Sequence, residues 1–117
     1  MKVLVIDDNE SITELLEKLL VVKHHQCVST NDGRSGLRLI TEQHFDVILL
    51  DLAMPDFSGS DVIDHLEKLG KLKDNKVILF TASAITKGDI DSLLQKGVYS
   101  CIKKPVKMST LIQAIEA

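Results

Sequence analysis

The chain contains very few aromatic residues, and this limits the kind of core it can build. Phe, Tyr and Trp together make up 3% of 117 residues, and Trp is absent. Because hydrophobic residues still reach 44%, the interior must be packed mainly by Val, Ile and Leu. A domain of this length buries roughly two-thirds of the surface that its unfolded chain exposes. We therefore predict one domain with one sizeable core over residues 1–117.

Three further shortages exclude classes of protein. The two cysteines, Cys27 and Cys101, have neither CxxC spacing nor a metal-like arrangement with histidine, so neither a zinc site nor a disulfide is expected. The net charge of -3 lacks the basic excess of a nucleic-acid surface, so direct nucleic-acid binding is not expected. No apolar stretch approaches the roughly 20 residues of a membrane span or the core of a signal peptide. We expect a cytoplasmic protein without a membrane span.

Short apolar runs alternate along the chain with segments of helical periodicity, a pattern typical of repeated βα units and a parallel sheet. The five runs are KVLVI at 2–6, QCVST at 26–30, DVILL at 46–50, KVILF at 76–80 and VYSCI at 98–102. Because the second and fifth are more polar, we place them at the sheet edges. With right-handed crossovers, this predicts a doubly wound α/β fold, a flavodoxin-like (βα)5 three-layer sandwich with strand order 2-1-3-4-5.

The helical segments show apolar stripes and terminal signals. The first helix is expected to begin at Asn9, with a capping box of Ser11 and Glu14. Its predicted apolar stripe consists of Ile12, Leu15, Leu16, Leu19 and Leu20. Later helices are expected from near Asp32, from Ser58 to Gly70, and up to Gly97, with a last helix reaching the chain end.

Polar residues follow four of the predicted strands where each strand ends. Asp7 and Asp8 follow the first, Asp51 the third, Thr81 the fourth, and Lys104 the fifth. The carboxyl ends of parallel strands line one crevice, and doubly wound sheets bind ligands there. Three acids, a hydroxyl and a lysine are therefore predicted to meet at one edge of the sheet.

Three carboxylates in one crevice repel one another, at a cost of about 4 kcal/mol per pair for a separation of about 4 Å and an effective dielectric constant near 20. A cation must relieve this repulsion, or one acid must stay protonated. Hard oxygen ligands suit Mg²⁺, and Mn²⁺ as a second candidate. A simpler interpretation is that Asp7, Asp8 and Asn9 only cap the first helix.

With these residues in this order and spacing, the chain closely resembles the receiver domain of two-component response regulators, including the chemotaxis type. The resemblance implies that Asp51 accepts a phosphoryl group, with Thr81 and Lys104 contacting the phosphoryl oxygens. It also implies that Asp8, Asp51 and the backbone carbonyl of Ala53 ligate Mg²⁺. Asp7 would support the metal directly or through water, and the Lys104–Pro105 peptide would be cis.

Further expectations about partners and switching follow from the resemblance. A sensor histidine kinase or a histidine phosphotransfer protein would supply the phosphoryl group, and autodephosphorylation would remove it. The signal would pass to a downstream protein or a fused output domain through the face of the fourth helix, fifth strand and fifth helix, which could also form a homodimer. The family's switch aromatic is replaced here by Cys101. We hypothesise that Tyr99, two residues earlier on the same predicted strand face, takes part of that role, or that Thr81 alone transmits the change.

Three alternative functions share parts of the pattern. An FMN-binding flavodoxin-like protein would share the topology, but Asp7, Asp8 and Glu10 in its phosphate loop would repel an anion. An aspartyl-phosphate hydrolase would place a second acid two residues after its nucleophile, where this chain has Ala53. An inactive receiver used only for docking would not need the intact acids, Thr81 and Lys104.

Overall fold

The computed structural model describes residues 1–81 and 85–117, and the predicted alternation of strands and helices is present in both ranges. The strands are β1 (Lys2–Ile6), β2 (Gln26–Thr30), β3 (Val47–Asp51), β4 (Val77–Thr81) and β5 (Ser100–Lys103). The helices are α1 (Glu10–Val22), α2 (Gly33–Glu42), α3 (Gly59–Lys68), α4 (Lys87–Lys96) and α5 (Met108–Glu116).

The five strands form one parallel sheet in the order β2-β1-β3-β4-β5, which confirms the predicted topology. Every residue of β3 and β4 is buried, whereas β2 and β5 are only partly buried, as expected for edge strands. The register aligns the strand ends: Ile6 lies beside Leu50, Asp51 beside Phe80, and Thr81 beside Lys103. The carboxyl ends of β1, β3, β4 and β5 therefore share one edge.

Helices cover both faces of the sheet and divide the core into two layers. Leu4, Leu50 and Leu79 face a layer that includes residues of α2 and α3. Val5, Leu49 and Phe80 face the other layer, which α1 and α5 cover. Alternate strand residues thus enter opposite layers, as the period of two requires.

The cap of one helix differs from what the sequence suggests, and another helix, α3, begins at its Ser58 cap as predicted but has a capping box that was not predicted. Asn9 alone caps α1, since its side chain accepts hydrogen bonds from the backbone amides of Ser11 and Ile12. The predicted capping box of Ser11 and Glu14 is wrong, because Ser11 already lies in the first turn. A capping box does occur at α3, where the Ser58 side chain accepts from Asp61 N and the Asp61 carboxylate accepts from Ser58 N.

The buried faces of two helices also differ from the predicted stripes. In α1, Leu15 is 43% exposed, and Thr13 is buried although it lies outside the apolar stripe. Helix α4 contains no fully buried residue, and Leu93 is its part-buried contact with the core. This helix therefore packs more loosely on the sheet than α1 or α3.

The two cysteines lie on strands at opposite edges of the sheet, Cys27 in β2 and Cys101 in β5, and both are free thiols. In the part of the chain that the structure describes, no helix combines the length and the apolar character needed to cross a membrane.

Candidate functional site

Three carboxylates converge at the carboxyl edge of the sheet, as the sequence predicts. Asp7 and Asp8 directly follow β1, and Asp51 is the last residue of β3. One carboxylate oxygen of each lies within 4.8 Å of the others. Asp7 and Asp51 are buried and Asp8 is exposed, so the cluster is open to solvent on one side. This is a set of oxygen donors of the kind that hard divalent cations bind.

The two carboxylate oxygens of Asp7 have different surroundings. Its Oδ1 accepts a hydrogen bond from the backbone amide of Asn9 at 2.9 Å. Its Oδ2 is buried and has no hydrogen-bond partner among residues 1–81 and 85–117. Because a buried polar atom left unsatisfied is costly, this oxygen fits a site that a cation or its water completes.

The backbone around Asp7 is held by residues that the sequence analysis did not identify. The side-chain amide of Asn31 donates to the carbonyl oxygen of Asp7 at 2.9 Å and to the buried hydroxyl of Thr13 at 3.1 Å. The amide of Asp7 donates to the carbonyl of Thr30 at 3.2 Å. These bonds tie the end of β1 to α1 and to the segment after β2. No local pattern marks Asn31, because its partners are 18 and 24 residues away in the chain.

The environment of Asp51 raises its pKa when no cation is bound. Burial, followed by the charge of Asp7, raises the pKa of Asp51 to about 6, and a contact with Asp8 acts in the same direction. The backbone amide of Ala53, which donates to Asp51 Oδ1 at 3.1 Å, and the ammonium of Lys104 lower the pKa but do not cancel the increase. A positive charge placed between the carboxylates would lower the pKa of Asp51 again.

Lys104 places a positive charge beside two of the carboxylates. Its ammonium nitrogen lies 3.7 Å from Asp7 Oδ2 and 3.7 Å from Asp51 Oδ1. It also lies 4.6 Å from the centre of the Phe80 ring, a cation–π contact that the sequence analysis missed. The Lys104–Pro105 peptide is cis, as expected, and the amide of Lys104 donates to the carbonyl of Thr81 at 2.6 Å.

Thr81 ends β4 at the same edge and is 1% exposed. Its register partner in β5 is Lys103, the residue before Lys104. Ala82 and Ser83, the two residues that follow Thr81 in the sequence, lie outside the described residues.

The loop after Asp51 requires glycine at its end. A Cβ atom on Gly59 would lie 2.3 Å from the carbonyl oxygen of Asp51, so only glycine allows α3 to begin so close to β3. The amide of Gly59 donates to the carbonyl of Leu52 at 2.9 Å. Ala53, the expected source of a carbonyl ligand, lies in this loop and is exposed.

Tyr99 and Cys101, two of the predicted switch residues, lie at different positions along the strand direction of the sheet. Tyr99 precedes β5 and is 56% exposed, and its amide donates to Val77, the first residue of β4. Its ring contacts the ammonium of Lys76 at 4.6 Å, at the end of the sheet opposite the carboxylates. Cys101 is partly buried and packs against the core layer that includes α3. The structure thus brings Thr81 and Lys104 to the acidic cluster but leaves Tyr99 at the other end.

Comparison with known proteins identifies the family. A model of the response regulator receiver domain matches residues 3–116. The chain belongs to this family. The receiver domain is 32% identical over 115 residues to the polar-differentiation response regulator DivK of Brucella ovis, covering 98% of this chain and 93% of the relative.

Solved structures agree with this assignment. The Francisella response regulator 1452 receiver domain superposes with a TM-score of 0.88 at 26% identity, covering 98% of this chain and 93% of that one. TrrA of Thermotoga maritima, whose crystal contains Mg²⁺ and BeF, gives a TM-score of 0.82 at 28% identity, covering 98% and 96%. This chain is therefore a receiver domain of two-component signalling, and the family assignment favours that function over the flavodoxin-like and hydrolase alternatives.

Proposed function

We propose that this receiver domain takes a phosphoryl group onto the carboxylate of Asp51 from a phosphohistidine of a sensor kinase or a histidine phosphotransfer protein. The observation that carries the proposal is the convergence of Asp51 with two other acids within 4.8 Å, opposite the ammonium of Lys104 at 3.7 Å. An inactive docking module would have no need for such a costly arrangement of like charges. We also propose that residues 1–117 form one receiver unit and that it works in the cytoplasm, where we expect its phosphodonor.

The donor set fits a divalent cation. Asp8, Asp51 and the carbonyl of Ala53 would hold Mg²⁺, with Asp7 supporting it directly or through water; Mn²⁺ suits the same oxygen ligands. Asp7 Oδ2, which has the Lys104 ammonium at 3.7 Å but no hydrogen-bond partner among the described residues, supports this assignment. When bound, the cation would neutralise the acids and the charge on the incoming phosphoryl group.

The chain's own groups would supply the remaining chemistry. An ionised Asp51 oxygen forms a bond to phosphorus while the phosphorus–nitrogen bond of the donor breaks, and the electron pair returns to the donor imidazole. The Lys104 ammonium and the Thr81 hydroxyl would contact the phosphoryl oxygens, where negative charge is spread in the transition state. Attack of water on the same phosphorus would later break its bond to the Asp51 oxygen and release inorganic phosphate, which regenerates the carboxylate; this step is autodephosphorylation.

The signal would arise from the new charge. A phosphoryl group adds about two negative charges and three acceptor oxygens, which attract Thr81 and Lys104. Because Tyr99 lies at the opposite end of β4 from Thr81, the geometry favours Thr81 as the first switch residue. Cys101 lies beside Leu79, two residues before Thr81 in β4. The absence of fully buried residues in α4 supports the face of α4, β5 and α5 as the part that changes and that meets a downstream protein, an output domain or a second copy.

Phosphorylation with a small donor tests the proposal. The protein is incubated with acetyl phosphate and Mg²⁺, and its intact mass is measured before and after chelation of the metal. We expect an adduct of about 80 Da, the mass of one phosphoryl group bound as an acyl phosphate, only when Mg²⁺ is present. Asp51→Asn should show none, whereas Asp91→Asn, at an exposed position in α4, should behave as wild type. An unmodified wild type would favour the inactive docking module instead.

A further inference from the structure

The loop that contains Ala53 is stabilised by contacts to a helix outside the acidic cluster. The loop covers residues 52–58, between Asp51 at the end of β3 and Gly59 at the start of α3. Within it, the amide of Phe57 donates to the carbonyl of Pro55 at 2.7 Å, and Asp56 adopts a left-handed conformation with φ of 65°. This hydrogen bond and the Asp56 conformation shape the turn, and the amide of Ala53 ties its first part to Asp51 Oδ1 at 3.1 Å. The outer part of the loop, at Phe57, is held by contacts from outside it.

The first contact from outside is made by Gly33, the first residue of α2. A Cβ atom at Gly33 would lie 2.4 Å from the carbonyl oxygen of Phe57 and 3.0 Å from its ring. Real Cβ atoms essentially never approach another heavy atom so closely, so the backbone of α2 lies directly against the loop at Phe57. Any outward shift of the loop would open this contact.

The second contact is made by the next residue, Arg34. Its guanidinium carbon lies 4.7 Å from the centre of the Phe57 ring, which is cation–π geometry. The Phe57 ring also lies 5.2 Å from the ring of His65 in α3, whose Nδ1 is 2.9 Å from the carbonyl oxygen of Asp61. The aromatic side chain of the loop is therefore held by contacts from two helices.

We propose that Arg34 is a positioning residue for cation binding, because its stacking on Phe57 holds the loop where the Ala53 carbonyl can join the carboxylates. This inference rests on the proposed function, in which that carbonyl is a metal ligand. Arg34 itself contributes no ligand. Removing its positive charge alone would strengthen binding of a divalent cation through simple electrostatics, whereas loss of loop position weakens it. The two effects have opposite signs, so one titration distinguishes them.

The test is calorimetric titration of the unphosphorylated protein with Mg²⁺ alone. We expect Arg34→Gln to raise the dissociation constant for Mg²⁺ about threefold, a change in binding free energy that the loss of one cation–π contact can account for. Arg34→Lys keeps a cation over the ring and should bind nearly as wild type. The matched control is Arg38→Gln, which removes the same charge from the same helix, where the side chain is 67% exposed and pairs with Glu42 at 3.7 Å. That variant should not weaken binding.

A second variant removes the ring itself. Phe57→Ala should weaken Mg²⁺ binding about tenfold, since both the cation–π contact and the packing against α3 are lost. At saturating Mg²⁺ its rate of phosphorylation by acetyl phosphate should return to within about twofold of wild type, because no group that contacts the phosphoryl oxygens has changed. A purely structural role would lower the melting temperature of the metal-free protein and leave the dissociation constant unchanged.

Three results would overturn the inference. The first is wild-type or tighter Mg²⁺ binding by Arg34→Gln, and the second is equal weakening by Arg34→Gln and Arg38→Gln. The third is a Phe57→Ala variant with normal affinity. If titration of the wild type with Mg²⁺ gives no more heat than titration of Asp51→Asn, the proposed metal site is refuted. An unchanged affinity of Arg34→Gln, with normal binding by the wild type, refutes only the role of Arg34.

Discussion

Replacing Asp51 by Asn should stabilise the metal-free protein although it removes the proposed phosphoacceptor. The carboxylate is 4% exposed, and burial and Asp7 raise its pKa from 3.8 to about 6. The folded state therefore binds the Asp51 proton more tightly than the unfolded state does. For an acid shifted in this direction, stability is greatest below the unfolded pKa and falls as the pH rises from about 4 to about 6.

The size of the effect follows from the same shift. One pKa unit corresponds to 1.36 kcal/mol, so ionised Asp51 costs up to about 3 kcal/mol at neutral pH in the absence of a cation. Asn is nearly isosteric and uncharged, and its oxygen can still accept from the amide of Ala53. Near pH 8 and without metal, we expect the free energy of unfolding of Asp51→Asn to be about 1 to 3 kcal/mol higher than that of wild type.

With Mg²⁺ present, wild type should become more stable than Asp51→Asn. A ligand present at 100 times its dissociation constant stabilises the folded state by about 2.7 kcal/mol, and Asp51→Asn loses one of the proposed ligands. Urea unfolding monitored by circular dichroism, with chelator or with Mg²⁺, measures both free energies. Asp91→Asn in α4 is the control and should shift neither value by more than about 0.5 kcal/mol.

Two observations would refute this reasoning about Asp51. One is a metal-free wild type at least as stable as Asp51→Asn near pH 8. The other is a stability difference that stays constant between about pH 8 and about pH 4.5, because the difference should shrink as Asp51 takes up its proton.

Three further predictions concern other residues. Lys104→Met should tighten Mg²⁺ binding at least threefold in calorimetric titration, because the Lys104 ammonium, 3.7 Å from Asp7 and from Asp51, repels the cation. Unchanged or weaker binding would contradict the proposed metal site. Gly59→Ala should lower the free energy of unfolding by about 1 to 3 kcal/mol, because its Cβ atom would clash with Asp51. Gly88→Ala, whose Cβ atom would lie 3.9 Å from the nearest side chain of a non-adjacent residue, should instead raise it by about 0.5 kcal/mol. Equal effects of the two variants in urea unfolding would contradict the close approach of Gly59 to Asp51. Burial and the charge of Glu17 raise the pKa of Cys27 to about 11. Iodoacetamide should therefore alkylate Cys27 at least about tenfold more slowly in the folded protein than in the urea-unfolded protein near pH 8. Equal alkylation rates measured by mass spectrometry would refute this prediction.

The parts of the fold that were predictable are those set by periodicity and strand-end chemistry. β3 and β4, which are apolar up to their last residues, were correctly placed in the centre because helices cover both of their faces. Asp7, Asp51 and Lys104 were predicted to converge because parallel strands end at a common edge. These inferences need only the order of the elements.

The parts that were not predictable depend on contacts between distant segments. Leu15 fits the apolar stripe of α1 by spacing, yet it is 43% exposed, and the buried residues of that helix are Thr13, Leu16 and Leu20. The ring of Phe80 beside Lys104 and the contact of Arg34 with Phe57 join residues from different βα units, and no local pattern reports them. Tyr99 was placed by strand alternation, but β5 begins one residue later and leaves the ring at the opposite end from the acids.

The central claim is that Asp51 is the residue that carries the phosphoryl group, and chemical mapping of the modified residue tests it most directly. After incubation with acetyl phosphate and Mg²⁺, borohydride reduces an aspartyl phosphate to homoserine, and peptide mass spectrometry then locates the reduced residue. Our account predicts homoserine at position 51 and unmodified aspartates at positions 7 and 8. Homoserine at another position, or at none while the intact protein still gains mass, would contradict it.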